Sequence, residues 1–456
     1  MELKKNDYLE LEITDTDKNG NGISHASNGM AVFVKNACAG DKVLAKIIKT
    51  TKSYAVAIID KLMEASSDRN VGGCSVASKC GGCVFQHITY EAECKFKVES
   101  INSAFERIGK LPLRVFTFHP AQKTEYYRNK AVYPVGKDKD GNIISGFYAQ
   151  MSHRIIPHQE CLIGDKDFSA IKDKVADFLS DNKIPVYDET NGHGIFRSIY
   201  MRKSENDSSI ILTLILNSEK LIDDKCELKF CDYIINEFPH ISSIVININK
   251  KQSNAVLGDK WRKLYGDGYL YDTLCGKKFR ISPASFYQVN HEQTEILYGI
   301  AAKFADLKPG ETLLDLYCGT GSVGISIAKK DTKLIGVEIV PQAAKDAEFN
   351  SKQNGLDGKF LCLDATNALD DERLESLHPD VITIDPPRKG CGTESAAKIA
   401  SLGAKRIVYI SCDPATLARD LAEFDKCGYK ALVAEGVDMF PRTGHVETVV
   451  LLSRTF

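Results

Sequence analysis

The sequence lacks the features that mark membrane proteins, secreted proteins and proteins that coat nucleic acid. No run reaches the roughly 20 apolar residues that cross a bilayer. The opening residues, MELKKNDYLE, contain no apolar core, so we expect no secretory signal. The net charge is only -2, which excludes nucleic-acid binding through bulk positive charge. Any RNA contact must come from local basic patches, for which the candidates are Arg128, Lys130, Arg154, Arg197, Arg202, Lys203, Lys250 and Lys251.

Repeats, low-complexity tracts and proline-rich linkers are also missing, so domain boundaries must be inferred from the pattern of elements. Hydrophobic residues make up 43% of the 456-residue chain, which is enough for about two to four globular domains. The 14 cysteines include several inside apolar runs, such as Cys318 and Cys362. This pattern favours free thiols in the reducing cytoplasm over a disulfide framework. We expect a cytoplasmic protein. We also expect a monomer, an expectation that no sequence motif determines.

Three regions follow from the hydrophobic patterns. Residues 1–62 alternate polar and apolar residues in short runs separated by turn residues, which predicts a small β-barrel of the oligonucleotide-binding type. Residues 63–279 begin with a loop rich in glycine and cysteine and continue as mixed α+β structure. Residues 280–456 repeat a strand, a turn and a helix, which predicts a Rossmann-like, doubly wound α/β domain.

The first turn of the predicted α/β domain has the pattern of a cofactor-binding loop. A predicted strand, Thr312–Leu316, leads into Tyr317, Cys318, Gly319, Thr320 and Gly321. Glycines there let the backbone turn sharply and approach a ligand. An acidic residue, an aromatic residue and two glycines at this spacing are typical of S-adenosylmethionine (SAM) methyltransferases.

Acidic residues follow the next three predicted strands. Glu338 ends the second strand, where a carboxylate can accept hydrogen bonds from ribose hydroxyls. Asp364 follows the third strand and is a candidate for the adenine edge, although a helix cap is an open alternative. Asp385, in DPPRKG, follows the fourth strand, and Arg388 stands where amino-group methyltransferases carry an aromatic residue. That replacement argues against N-methylation.

The fifth predicted strand ends at Ser411 and places Cys412 before a helix start, in YISCDPATLARD. A thiol at a helix N-terminus lies near the positive end of the helix dipole, so we expect a lowered pKa and a nucleophilic thiolate. Carbon 5 of uracil accepts a methyl group only after a thiolate has added to carbon 6. The carbon 5 proton then needs a base. Glu447 is the candidate, and His445 is the alternative.

A second group of cysteines is spaced as metal ligands. Cys74, Cys80 and Cys83 lie close together, and Cys161 lies far along the chain. Four thiolates can hold zinc or a [4Fe–4S] cluster. Three close cysteines and a distant one favour the cluster, because structural zinc more often uses two close pairs.

Five blocks together resemble one family, the RNA (uracil-5-)-methyltransferases. They are SFYQVN (285–290), LDLYCGTGSVG (314–324), DPPRKG (385–390), SCDPATLARD (411–420) and MFPRTGHVE (439–447). The resemblance implies a class I SAM methyltransferase fold, with Cys412 as nucleophile and Glu447 as base. It also implies that the cofactor and uracil site contains Gln288, Tyr317, Gly319, Glu338, Asp364 and Asp385. One departure is Ser322, where some relatives have asparagine.

The N-terminal region is similar to a TRAM domain, which occurs in the ribosomal-RNA branch of that family. The cysteine pattern resembles the same branch and implies a [4Fe–4S] cluster on Cys74, Cys80, Cys83 and Cys161. The expected partner is therefore 23S rRNA, as protein-poor or pre-ribosomal RNA, and no membrane. Two alternatives stay open: a tRNA methyltransferase that acts on the T-loop, and a non-catalytic RNA-binding iron–sulfur protein.

Overall fold

The computed structural model describes residues 3–370, 374 and 377–455 of the chain. The chain forms two compact units, each built from several segments. Unit 1 consists of Met1–Glu99, Phe147–Ile156 and Phe440–His445. Unit 2 consists of Ser100–Gly146, Pro157–Met439 and Val446–Phe456. The division into domains at 62 and 279 stays a prediction.

Unit 1 contains a six-stranded sheet in the order β1-β5-β6-β4-β3-β2. Its strands are β1 (Tyr8–Glu12), β2 (Asp15–Thr16), β3 (Asn21–His25), β4 (Ala31–Lys35), β5 (Lys42–Thr50) and β6 (Tyr54–Glu64). Val43, Ala45 and Ile47 alternate with more exposed residues along β5 and enter the core. This is the half-buried pattern of a strand with one apolar face. The expected N-terminal all-β region is therefore confirmed.

A buried ion pair fixes the end of this sheet. Asp41 is fully buried and accepts hydrogen bonds from Arg69 Nε at 3.0 Å, Ser66 N at 3.0 Å and Cys38 N at 2.6 Å. These bonds hold the pKa of Asp41 below its usual value despite burial. Two short segments, one with Cys38 and Asp41 and the other with Ser66 and Arg69, are thereby joined.

The next helical segments are α1 (Tyr90–Ala104) and a π-helical turn at Phe105–Gly109. The following strands are β7 (Val115–His119), β8 (Lys130–Lys137), β9 (Ile143–Tyr148), β10 (Ile155–Pro157), β11 (Phe196–Lys203), β12 (Ile210–Leu216), β13 (Ile241–Ile248) and β14 (Lys260–Tyr265). Strands β9, β8, β11, β12, β13 and β14 are neighbours in that order. Strand β12 is buried along its whole length, which explains its continuous apolar sequence. The helices of this region are α2 (Lys166–Asp181) and α3 (Asp224–Glu237).

The C-terminal part of unit 2 is an α/β fold, as predicted. A small sheet of β15 (Leu270–Leu274) and β16 (Lys277–Ile281) precedes it. Its strands are β17 (Thr312–Leu316), β18 (Lys333–Glu338), β19 (Lys359–Cys362), β20 (Val381–Ile384), β21 (Arg406–Ser411), β22 (Tyr429–Val437) and β23 (Glu447–Arg454). Its helices are α4 (His291–Ala305), α5 (Ser322–Ile327), α6 (Pro341–Gln353), α7 (Ala365–Ala368), α8 (Thr393–Ser401) and α9 (Pro414–Lys426).

The order of this main sheet places a ligand site at one edge. The order is β19-β18-β17-β20-β21-β23-β22-β7, and β17 to β21 are mutually parallel. Strand β17 is the switch point, because the chain continues to β18 on one side and returns to β20 on the other. Ligands of open α/β sheets bind beyond the carboxyl ends of the strands at such a point. Within the described part of the chain, no helix has the length and apolar character needed to cross a bilayer.

Candidate active site

The glycine loop after β17 adopts the sharp turn that the sequence predicts. Tyr317, Gly319 and Gly321 have φ angles of 61°, 56° and 80°, in the left-handed region that favours glycine. A Cβ atom added to Gly319 would meet only Phe286 O, at 3.9 Å. The loop therefore borders open space in front of the sheet edge, where a ligand can approach its backbone.

Glu338 joins the ends of β17 and β18. Its Oε2 atom accepts a hydrogen bond from Gly319 N at 2.9 Å, and its Oε1 atom accepts one from Val340 N at 2.8 Å. The carboxylate thus holds the glycine loop in place. A carboxylate has further lone pairs for ribose hydroxyls, and that contact stays a prediction.

Two carboxyl groups on the neighbouring strands are poorly solvated. Asp315 is buried and accepts hydrogen bonds from Gly324 N at 2.9 Å and Thr383 Oγ1 at 2.7 Å. Burial raises its pKa to about 6 despite these bonds, with a contribution from Glu338. Burial, followed by the charge of Asp315, raises the pKa of Asp385 to about 7. A cationic ligand would relieve this repulsion, so the edge suits SAM, whose sulfonium is positive.

Asp364 caps a helix. Its Oδ1 atom accepts hydrogen bonds from Thr366 N at 3.0 Å and Asn367 N at 3.2 Å, at the start of α7. The capping role that the sequence left open is therefore present. The adenine contact of Asp364 stays a prediction.

Cys412 lies between β21 and α9, as predicted, and is partly exposed. Burial raises the pKa of its thiol to about 12, and the charges of Glu447 and Asp385 add to this effect. The expectation of a lowered pKa is therefore wrong for the free thiol. The helix that follows is capped by Asp413, whose Oδ1 accepts hydrogen bonds from Ala415 N and Thr416 N at 3.0 Å each.

Glu447 and Cys412 lie at the same end of one strand pair. Strands β21 and β23 are antiparallel, and the last pair in their register is Ser411 with Thr448. Cys412 directly follows Ser411, Glu447 directly precedes Thr448, and the charge of Glu447 acts on the thiol. Glu447 is only 3% exposed, and its Oε2 atom has no hydrogen-bond partner among the described residues. Burial, followed by the charge of Asp385, raises its pKa well above the usual value.

The alternative base, His445, belongs to unit 1, whereas Glu447 and Cys412 belong to unit 2. Its ring lies 6.1 Å from that of Phe440. The role of His445 as the alternative base stays a prediction.

Arg388, which the sequence marked only as a departure from another motif, has an electrostatic effect on both predicted catalytic groups. Its positive charge lowers the pKa of both Cys412 and Glu447, against the effect of burial. The loop that carries it is held by α9, since Thr416 Oγ1 donates to Arg388 O at 3.2 Å and Arg419 Nη2 donates to Lys389 O at 2.8 Å. A cation is therefore fixed beside the thiol.

Asp420 anchors the same loop from within the core. It is fully buried and accepts hydrogen bonds from Cys391 N at 2.9 Å, Tyr409 Oη at 2.6 Å and Arg419 Nη2 at 2.6 Å. The sequence contains one indication of this role, the adjacent Arg419 and Asp420 at the end of SCDPATLARD. A charged residue is seldom fully buried unless it is paired.

Gln288 lies on the segment between β16 and α4 and is 5% exposed. Asn129 Nδ2 donates to the Gln288 carbonyl oxygen at 3.3 Å. The same segment is anchored at Ser285, whose Oγ donates to Asp346 Oδ2 at 2.9 Å. The segment is fixed by buried polar contacts, and the contact of Gln288 with uracil stays a prediction.

The four predicted metal ligands are divided between the two units. Cys74, Cys80 and Cys83 lie on a segment of turns in unit 1, and Cys161 lies in unit 2. Across residues 3–370, 374 and 377–455, no three His, Cys, Asp or Glu side chains are grouped as metal ligands. The [4Fe–4S] cluster stays a prediction based on the sequence.

Two family profiles match the chain. The tRNA (Uracil-5-)-methyltransferase profile covers residues 269–455, which contain the glycine loop, Cys412 and Glu447. The TRAM domain profile covers residues 2–59, which contain most of the six-stranded sheet.

Similar proteins extend this match to nearly the whole chain. An uncharacterized RNA methyltransferase of Halalkalibacterium halodurans is 38% identical, over 99% of this chain and 98% of its own length. One of Clostridium acetobutylicum is 39% identical over the same shares. Among solved structures, the tRNA (uracil-54, C5)-methyltransferase of Pyrococcus abyssi, in complex with S-adenosyl-L-homocysteine, has a TM-score of 0.76. It is 23% identical over 97% of this chain and 99% of its own, so it supports the fold alone.

The matched relatives, the two profiles and the architecture agree. The chain belongs to the SAM-dependent RNA (uracil-5-)-methyltransferase family, in the form that carries an N-terminal TRAM domain.

Proposed function

We propose that this protein methylates carbon 5 of a specific uridine in 23S rRNA through a covalent adduct with Cys412. The covalent mechanism is supported by the register of β21 and β23, which ends at Ser411 and Thr448, the neighbours of Cys412 and Glu447. Glu447 is buried, its charge acts on Cys412, and its Oε2 atom has no hydrogen-bond partner within the described chain. A nucleophile and a proton acceptor on adjacent strands are the two groups that this reaction requires.

Cys412 is the nucleophile. Its thiolate adds to carbon 6 of uracil, forms a carbon–sulfur bond and leaves an enolate whose carbon 5 is nucleophilic. When bound, SAM supplies the methyl group that carbon 5 accepts, and its positive charge favours the thiolate over the thiol. Arg388 acts in the same direction, because its charge lowers the pKa of Cys412. The thiolate therefore forms in the loaded site and not in the free protein.

Glu447 is the general base. After methyl transfer, carbon 5 carries both a proton and the methyl group, and the proton must leave before the carbon–sulfur bond breaks. Glu447 accepts this proton, and the electron pair released at carbon 5 expels the Cys412 thiolate. The raised pKa of Glu447 suits this role, because a carboxyl group that readily holds a proton is the stronger base.

The proposal of 23S rRNA rests on the TRAM domain and on the cysteine pattern, both of which resemble the ribosomal-RNA branch. The second candidate is tRNA, because the structural neighbour from Pyrococcus abyssi is a tRNA (uracil-54, C5)-methyltransferase. Either RNA places the site of action in the cytoplasm. The target uracil must leave its stack to reach Cys412, so base flipping is part of the proposal.

Deletion of the gene is expected to remove 5-methyluridine from 23S rRNA and to leave the tRNA T-loop unchanged. Mapping the modification in both RNAs from the deletion strain, by mass spectrometry of nuclease fragments, measures this. A plasmid-borne copy should restore the modification, and a copy with Cys412→Ala should not. Loss of the modification from tRNA alone would contradict the assignment to rRNA.

Substitution of the two catalytic groups is expected to have opposite effects on the covalent adduct. Glu447→Gln should accumulate the adduct with unmodified RNA and slow turnover about 10²- to 10⁴-fold, because the carbon 5 proton cannot leave. Cys412→Ala should form no adduct, even with RNA that contains 5-fluorouracil, while binding SAM as the wild type does. Denaturing gels and peptide mapping locate the adduct. Cys427→Ala, at the exposed end of α9, is the matched control and should retain the adduct. An adduct on another cysteine would refute this mechanism.

The stability of the ligand-free protein is expected to fall between pH 5 and pH 8. The pKa of Asp385 is about 7 when folded, against roughly 3.9 when unfolded. Its stabilising contribution is therefore complete below about pH 4 and is lost as the pH rises through 7. Asp385→Asn should raise the free energy of unfolding at pH 8 by on the order of 1 to 4 kcal/mol, and by less at pH 5.

Thermal denaturation without SAM at both pH values tests this expectation. Asp364→Ala is the matched control, since it removes a helix cap and should lower the melting temperature similarly at pH 5 and pH 8. A change for Asp385→Asn that is equal at both pH values would show that its carboxyl group does not titrate in this range.

We also propose that Cys74, Cys80, Cys83 and Cys161 bind a [4Fe–4S] cluster. The support is their spacing in the sequence, and no catalytic step depends on the cluster. Protein purified without oxygen is expected to be brown and to contain about four iron atoms for the four thiolates. Cys80→Ser should abolish the visible absorption, and Cys94→Ser should not. Bound zinc with no iron would refute the assignment.

A further inference from the structure

The basic residues of the central region fall into two groups in the folded chain. Lys203 pairs with Asp165 at 3.0 Å and Asp167 at 2.8 Å. Likewise, Lys250 and Lys251 pair with acidic side chains, and Arg197 donates to backbone carbonyls. These cations already have partners. Three other candidates, Arg128, Lys130 and Arg202, have no carboxylate partner within the described residues.

These three cations are close together on one face of a sheet. Strands β8 and β11 are antiparallel, and their register pairs Lys130 directly with Arg202. Arg128 is two residues before Lys130, which places both on the same side of an extended chain. The charges of Arg202 and Arg128 both act on Lys130. Like charges directly opposite on a sheet destabilise the pairing. The ring centres of Tyr200 and Tyr287 lie 5.6 Å from Lys130 Nζ and 5.8 Å from the Arg202 guanidinium carbon, and these contacts offset only part of the repulsion.

The cluster is also poorly solvated. Arg202 is 1% exposed, and its Nη1 atom is buried without a hydrogen-bond partner in the described structure. Its other contacts are long: Nε to Tyr200 Oη at 3.3 Å and Nη2 to Ser285 O at 3.4 Å. Burial, together with the two arginines, lowers the pKa of Lys130 to about 7. A buried cation without a counter-ion is strongly unfavourable, and a bound anion would remove that penalty.

The cluster borders the segment that carries Gln288. Asn129, between Arg128 and Lys130, donates from Nδ2 to the Gln288 carbonyl oxygen at 3.3 Å. Arg202 contacts the carbonyl oxygen of Ser285 on the same segment. The cations are thus attached to the segment that is predicted to contact the target uracil.

We propose that Arg128, Lys130 and Arg202 form an oxyanion site that binds a phosphodiester of the RNA strand next to the target uridine. This inference rests on the proposed function, since it assigns the anion to the RNA. Guanidinium groups suit phosphate because their N–H donors match its oxygens in pairs. A flipped base loses its stacking, and a fixed phosphate beside it holds the strand in register. The carboxylate of SAM is the other oxyanion source.

Lys130→Gln in the full chain tests the site, because this side chain is partly exposed and the substitution leaves the buried Arg202 in place. Filter binding to unmodified 23S rRNA and tRNA transcripts is measured over a series of salt concentrations. For the RNA that the wild type binds more tightly, the affinity should fall roughly three- to tenfold and the salt slope should decrease by about 1. The affinity for S-adenosylhomocysteine, measured by calorimetry, should be unchanged.

The melting temperature distinguishes anion binding by Lys130 from a purely structural role of this residue. Lys130→Gln should keep or raise the melting temperature, because it removes one of three repelling charges. Inorganic phosphate should raise the melting temperature of the wild type more than that of the variant. Lys203→Gln is the matched control on the neighbouring strand β11, and it should retain the salt slope because its charge is already paired.

Three results would overturn the proposal. The first is an unchanged RNA affinity and salt slope in Lys130→Gln. The second is a loss of S-adenosylhomocysteine affinity in Lys130→Gln while its RNA affinity is kept. The third is a loss of RNA affinity in Lys203→Gln as large as that in Lys130→Gln. The adduct assay with 5-fluorouracil RNA distinguishes failure of the phosphate site from failure of the catalytic mechanism. An adduct on Cys412 with an unchanged salt slope refutes only the phosphate site. A reduced slope without any adduct refutes only the covalent mechanism.

Discussion

Repulsion among poorly solvated carboxyl groups at one sheet edge is the interaction on which the catalytic part of the chain depends. Asp315, Asp385 and Glu447 all have raised pKa values, and burial is the largest cause in each case. Such a cluster is unfavourable in the free protein. It becomes favourable when a cation enters, so the same arrangement that destabilises the free fold selects a positively charged methyl donor.

The same charges act on Cys412, the proposed nucleophile. Burial is the largest cause of its raised pKa, Glu447 and Asp385 raise the pKa further, and Arg388 lowers it. Arg388 can act in this way only because Asp420, Thr416 and Arg419 hold its loop against the helix that follows Cys412.

Unit 2 thus contains two charge clusters of opposite sign. The carboxyl groups at the ends of β17, β20 and β23 match a cationic donor, and the proposed site at Arg128, Lys130 and Arg202 matches an anionic RNA strand. The segment from Ser285 to Asn290 contacts the second cluster and carries Gln288. In both clusters burial is the largest cause of the shifted pKa values, as for Asp385 and Lys130. A net charge of -2 gives no indication of either.

The local geometry of the site was determined by the sequence itself. The strand that ends at Ser411, the cap at Asp413 and the left-handed turn at Tyr317 to Gly321 follow from neighbouring residues, because apolar runs, caps and glycines act over a few positions. The order of these blocks also identified the family and the α/β fold. The pKa of Cys412, the position of Arg388 and the cation cluster were decided only by the tertiary structure. They depend on residues that are distant in sequence, namely Glu447, Asp385 and Arg202, and on the exclusion of water by packing. A pattern within one segment contains no information about distant partners or about burial.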